Sequence, residues 1–230
     1  MIRRCVAEFI GTFAIVFFGC GSIISLNGSG SATHLTVNLV FGLVVAAMIF
    51  ALGPISAAHF NPAVTVGFAV AKRFPWTAVP AYVGSQIAGA LAASAIHASI
   101  LPQLATGAKF GSTISSLGQG QTVVVEAVLT FFLMLVIIAV AADKRVAAPV
   151  PGLAIGATVA LCGLFGGPLT GCSMNPARSL APAVFSGNLP ELWLFVLGPL
   201  LGAAFAAVMF EGLRPEPQFA QSAPGDLGVN

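Results

Sequence analysis

The sequence predicts an all-α membrane protein of six transmembrane helices plus two re-entrant half-helices, arranged as an inverted internal repeat. Three observations carry this. The 230 residues are 57% hydrophobic and 7% charged, with a mean hydropathy of +0.99, whereas soluble chains carry about 25% charge. Apolar runs of about 20 residues, the length a helix needs to cross hydrocarbon, occur six times. Finally, GPISAAHFNPAVTVGFA at 53–69 returns as GPLTGCSMNPARSLAPA at 167–183, 114 positions later.

The six runs fall near 6–25, 34–53, 79–101, 122–142, 150–166 and 190–213. The first lies between MIRRC and NGSGSA and also has the outline of a cleaved signal peptide. Against that reading, AEFIGTF at 7–13 is answered by VEAVLTF at 125–131, which sets Glu8 opposite Glu126, and a signal has no reason to recur mid-chain. VFGLVVAA at 40–47 likewise answers VPGLAIGA at 150–157, and SQIAGA at 85–90 answers GPLLGA at 198–203. The order is the same in both halves. A single membrane domain over 1–230 is expected: a first repeat at 1–101, a connecting loop at 102–121, an inverted second repeat at 122–213, and a polar, disordered cytoplasmic tail at 214–230.

Three crossings per repeat oblige the second copy to enter the bilayer from the opposite side, about a pseudo-twofold axis in the membrane plane. Charge agrees. With a cytoplasmic amino terminus, Arg3, Arg4, Lys72, Arg73, Lys144, Arg145 and Arg214 all face inward, and only Lys109 and Arg178 face outward. Both termini are therefore expected in the cytoplasm, with the chain multi-pass in the plasma membrane.

Residues 54–75 and 168–187 are too long for tight turns and too apolar for exposed loops, so both belong within the membrane, where irregular backbone survives only inside protein or along a wet cavity. In each, Asn-Pro has the chemistry of a helix start: Asn caps, and proline at the first position loses no needed N–H. Half-helices beginning at 62 and 176, each about 15 Å long, would meet amino end to amino end. Two positive dipole ends would face one spot. A single Asn61 or Asn175 could be a cap and nothing more. Two in symmetric loops point to carboxamide donors aimed into a shared polar space.

The net charge of +2 and scattered basic residues give no surface for nucleic acid or an acidic partner. Cys5, Cys20, Cys162 and Cys172 lack CxxC spacing, so neither a disulfide framework nor a metal site is expected. There is no HExxH, no GxSxG and no intramembrane Asp pair, so no enzyme chemistry or cofactor is indicated. Intramembrane Glu8 and Glu126 are candidate proton or ion couplers, which keeps an ion-coupled secondary transporter as the alternative. His34 and His97, near span ends, are expected at the interfaces.

With two NPA boxes each opening a half-helix, and a match running from AEFIGTF to GPLLGA, the chain resembles the aquaporin and aquaglyceroporin family of membrane channels. AEFIGTFAIVFFGCGS, AADKR and GCSMNPARS resemble in particular the nodulin-26-like channels and their bacterial relatives. The resemblance implies that Asn61 and Asn175 donate to a single-file solute at the pore centre, with Pro62, Ala63, Pro176 and Ala177 shaping the loops. It places the aromatic/arginine selectivity filter on Phe41, Gly163, Cys172 and Arg178, and gives Glu8 and Glu126 the role of accepting hydrogen bonds from loop backbone. His59 would line the vestibule or hydrogen-bond loop backbone. Arg178 would otherwise be an outward anchor charge, and Cys172 inert packing.

The chain departs from the water-channel pattern at Gly163, where those members carry histidine. It departs from the glycerol-channel pattern at Ser179 and Cys172, where those members carry Asp and an aromatic. A wider pore is expected, passing water and small neutral solutes such as glycerol, urea or neutral metalloid acids. Ions would be refused by Arg178 and two positive helix ends with few acceptors. Gly163→His is expected to narrow the pore. The resemblance also implies a homotetramer in the lipid bilayer.

Overall fold

The computed structural model describes residues 1–27, 32–142 and 150–213. Lys144, Arg145, Arg214 and the tail at 214–230 lie outside the described residues. Among the described residues six helices are long and apolar enough to cross a membrane: α1 (Ile2–Ser25), α2 (Ala32–Ser56), α4 (Val79–Ile100), α6 (Gln119–Ala142), α7 (Val150–Thr170) and α9 (Leu194–Leu213). Between them stand two short helices at the Asn-Pro pairs, α3 (Pro62–Val70) and α8 (Pro176–Ser186), and a six-residue helix α5 (Pro102–Gly107). Among the described residues no strand forms.

Two helices outrun their expected ends. The second and fifth apolar runs end near 53 and 166 in sequence, yet α2 runs to Ser56 with Pro54 inside it and α7 to Thr170 with Pro168 inside it. Each proline deletes one hydrogen bond near its helix end. The extra turn carries Ser56 and Thr170 to the carboxylates that hold the loops. α1 contains a feature the apolar pattern does not encode, a π-helical stretch at Ile15–Cys20. Within it the Phe17 carbonyl, which also accepts from the Gly21 N–H, lies 3.0 Å from His97 Nε2. His97 is consequently almost fully buried rather than interfacial.

The spans cross where side chains vanish. A Cβ built on Gly89 would lie 2.3 Å from the Phe9 carbonyl oxygen, and one on Gly202 would lie 2.1 Å from that of Ala127. α4 therefore touches α1 as α9 touches α6. Gly42 and Gly156 approach each other reciprocally, a Cβ on either falling 2.5 Å from the other's carbonyl oxygen. That contact pairs α2 with α7 at the same 114-residue offset as the Asn-Pro loops. It is one helical turn on from the register suggested by VFGLVVAA and VPGLAIGA, a slip of four that keeps the same helix face.

The chain's ends can be placed relative to the loops. Arg73 Nε donates to Glu211 Oε1 at 2.6 Å, and the Cys5 thiol lies 3.9 Å from the Ala81 carbonyl. The start of α1, the loop after α3 and the end of α9 thus share one side. The link at 102–121, read from sequence as a plain connection, is built: α5 is followed by a 3-10 turn at Lys109–Gly111, in which Phe110 packs with Ile24 and Ala105.

Candidate functional site

The two re-entrant loops have matching backbones. Positive φ falls at Ala57, Ala58 and Phe60 in the first loop and at Gly171, Cys172 and Met174 in the second. Only one of the six is glycine. Non-glycine residues hold this left-handed region only when surroundings compel them, and a buried carboxylate supplies the compulsion in each half. Glu8 accepts from Ser56 Oγ (2.7 Å), His59 N (3.0 Å), Phe60 N (2.6 Å) and Gln86 Nε2 (2.7 Å). Glu126 accepts from Thr170 Oγ1 (2.6 Å), Ser173 N (2.9 Å) and Met174 N (2.9 Å). Both carboxylates are fully buried. Neither lines the cavity described below.

Beyond each loop stands the capping asparagine, extended at φ −155° for Asn61 and −146° for Asn175, with proline opening the helix behind it. Asn61 Oδ1 accepts from Ala63 N at 2.8 Å; Asn175 Oδ1 accepts from Ala177 N at 3.1 Å and Arg178 N at 3.3 Å. The amide nitrogens then cross between the loops. Asn61 Nδ2 donates to the Met174 carbonyl at 2.7 Å and Asn175 Nδ2 to the Phe60 carbonyl at 2.9 Å. The spare donors expected from sequence are therefore half used. A carboxamide has two N–H bonds, so one remains per asparagine.

Both asparagines line a single cavity of about 560 Å³. It runs from Ile23, Thr33 and His34 at one end, past Asn61 and Asn175, to Val140, Ala141 and Pro151 at the other. Phe41, Gly163, Cys172 and Arg178, far apart in sequence, all stand on its wall, as does His59. Most of the remaining wall is aliphatic, so polar contacts are few and concentrated.

Arg178 is 3% exposed. Its Nη1 donates to the Gly111 carbonyl at 2.8 Å, its guanidinium carbon lies 5.0 Å from the Phe41 ring centroid, and its Nε finds no partner among the described residues. A guanidinium so fixed presents spare donors to the lumen. Ser179 is tied to Ser173 Oγ (2.6 Å) and to Thr113 Oγ1 (2.9 Å), which joins the second loop to the 102–121 link. His59 lines the cavity, and the hydrogen-bond partner of its ring is a side chain on α3 rather than loop backbone. Its ring reaches the lumen, while Nδ1 lies 3.2 Å from Thr65 Oγ1 and the ring stacks on Phe68 at 4.7 Å. Pro62, Ala63, Pro176 and Ala177 are buried helix-start residues behind the wall.

Sequence reasoning missed Gly111, whose carbonyl orients Arg178, because a backbone acceptor in a link has no residue-type signature. It also missed His34 and Asn38. His34, expected at an interface, lines the cavity with Nε2 2.9 Å from the Leu164 carbonyl and Nδ1 3.1 Å from Asn38 Nδ2. The one available signal was their i, i+4 spacing on a span otherwise apolar.

A family model described as "Major intrinsic protein" matches residues 1–210. The chain is 42% identical to aquaporin NIP1-1 of Zea mays over 217 residues, covering 93% of this chain and 75% of that one. It is 40% identical to the probable aquaporin NIP4-2 of Arabidopsis thaliana over 215 residues, with the same shares covered. The X-ray structure of the aquaglyceroporin from Plasmodium falciparum is similar in fold, with a TM-score of 0.83 at 24% identity over 92% of this chain and 96% of that chain.

Proposed function

This chain belongs to the major intrinsic protein family and acts as a passive channel for water and small solutes; we propose that glycerol, urea and neutral metalloid acids are among those solutes. The conduit is the cavity shared by Asn61, Asn175 and Arg178. One observation carries this reading: two capping asparagines, cross-tied between opposed half-helices, line one continuous cavity and keep an amide hydrogen each. Asn61 and Asn175 act at the pore centre, and Phe41, Gly163, Cys172 and Arg178 form the filter. The charge of Arg178 and the amino ends of α3 and α8 oppose cations. Protons are opposed by the same field, and the asparagine donors occupy the lone pairs of the central water and interrupt a proton wire.

An ion-coupled transporter is not favoured. Such a mechanism needs Glu8 or Glu126 on the pathway, whereas seven hydrogen bonds to loop backbone and neighbouring side chains engage them off the cavity wall. The chain is a multi-pass membrane protein. Its placement in the plasma membrane with both termini cytoplasmic, its division into repeats at 1–101 and 122–213 about the 102–121 link, its non-enzymatic character and its assembly as a homotetramer complete the proposal.

The test is stopped-flow light scattering on proteoliposomes with water, glycerol, urea and a neutral metalloid acid in turn. Flux that is linear in the gradient and only weakly temperature-dependent is expected. Saturable flux that requires an ion gradient would replace the channel by a transporter.

A further inference from the structure

Gly163 leaves no empty space. A Cβ built there would sit 2.1 Å from Asn38 Oδ1, so a side chain from α2 has moved into the position that a residue on α7 would otherwise fill. Asn38 lies one turn before Phe41 on α2, lines the cavity, and is only 6% exposed. Its orientation is fixed chemically. Nδ2 faces two acceptors, the His34 carbonyl at 2.8 Å and His34 Nδ1 at 3.1 Å. His34 Nε2 must in turn donate to the Leu164 carbonyl, which leaves Nδ1 as the acceptor. The atom left facing Gly163 is therefore Oδ1, an acceptor with no donor among the described residues.

We propose that Asn38 is a specificity-determining residue of the channel: its carboxamide, seated over Gly163, fixes the width of the constriction and supplies a hydrogen-bond acceptor to complement the donors of Arg178. The proposal rests on the channel reading above. The Arg178 guanidinium, the unpartnered Asn38 carbonyl and the Phe41 ring, whose centroid lies 5.0 Å from the guanidinium carbon, stand on the same cavity wall. A solute that can accept and donate at once, with an apolar edge for the ring, matches all three. Small polyols, urea and hydroxy acids in their neutral form fit this description. A solute with acceptors alone would leave Asn38 Oδ1 desolvated and unpaired, which is costly at a buried carbonyl. His34 is a positioning residue that acts through Asn38.

The experiment compares glycerol and urea permeability with water permeability in proteoliposomes carrying wild-type protein, Asn38→Leu, Asn38→Ala, Gly163→Ala and the double variant Gly163→Ala with Asn38→Ala. Asn38 bonds only within its own helix turn, so its variants are expected to fold. Asn38→Leu keeps volume and removes the acceptor; the solute-to-water ratio should fall about fivefold, the worth of one neutral hydrogen bond. Asn38→Ala should raise permeability to larger polyols. Gly163→Ala should lower all fluxes by displacing the carboxamide, and the added Asn38→Ala should restore them.

If Asn38→Ala does not yield folded protein, Asn38→Ser keeps a donor for the His34 carbonyl and gives the same reading. Folded Asn38→Leu, and folded Asn38→Ala or its Ser substitute, with wild-type solute-to-water ratios would overturn the inference. Wild-type protein that conducts nothing would instead overturn the channel reading.

Discussion

Each NPA asparagine divides one carboxamide on the cavity wall: Oδ1 caps a helix, one N–H ties the opposite loop, and the other has no partner among the described residues. The glutamates are equally committed, which gives a prediction at this scale. Glu126→Leu strips acceptors from Thr170, Ser173 and Met174 at a fully buried site. At about 1–3 kcal/mol for each orphaned donor, the variant should lose on the order of 3 kcal/mol or more of stability, read as a marked fall in thermal midpoint in detergent; an unchanged midpoint would refute the scaffold role. Cys172 gives a second prediction. Among the four cysteines it alone lines the cavity. Mercurials should block water flow reversibly and Cys172→Ser should abolish that block; persistent sensitivity would place the reactive thiol elsewhere. Asn61, Asn175, Glu8 and Glu126 were legible because each appears twice in register. Asn38 has no such twin. Its role arises where α2 meets α7, and Gly163, read alone, suggests a void.

At the level of elements, the half-helices were legible to the residue because cap and proline together encode a start, and α3 and α8 begin at 62 and 176. Helix ends were less legible. Pro54 and Pro168 look like stops, yet packing and the buried glutamates carry both helices one turn further. The π-helical stretch in α1 has no periodic signature in an apolar run. Close approach of the spans rests on glycines that face neighbouring backbone, and this yields a matched pair of predictions. Gly89→Val and Gly202→Val each drive a side chain into a carbonyl of the facing helix, an overpacking cost of about 1–3 kcal/mol. Gly84→Val meets nothing within 4 Å on α4 and should be tolerated within the subunit. Monodispersity by size exclusion after graded heating would check this, and equal tolerance at all three sites would contradict the assigned crossings.

Across the whole molecule, two sets of three spans build a single wall around one polar centre, so selectivity is a property of the assembled pair and of neither half alone. Composition and repetition made the membrane class, the odd crossing count and the inverted relation legible. They left unread the contribution of the 102–121 link, whose Gly111 carbonyl and Thr113 hydroxyl brace Arg178 and Ser179, because neither residue type advertises that duty. Native mass measurement in nanodiscs should give four copies of the chain, and a monomer alone would contradict the proposed assembly. The central claim is that opposed helix amino ends and their asparagines pass neutral molecules while refusing charge. It is tested most directly by following osmotic water flow and proton leak in one preparation of wild-type proteoliposomes. The account predicts water flow far above that of protein-free vesicles with a proton leak no greater than theirs; water flow at the protein-free rate, or fast water accompanied by fast protons, would contradict it.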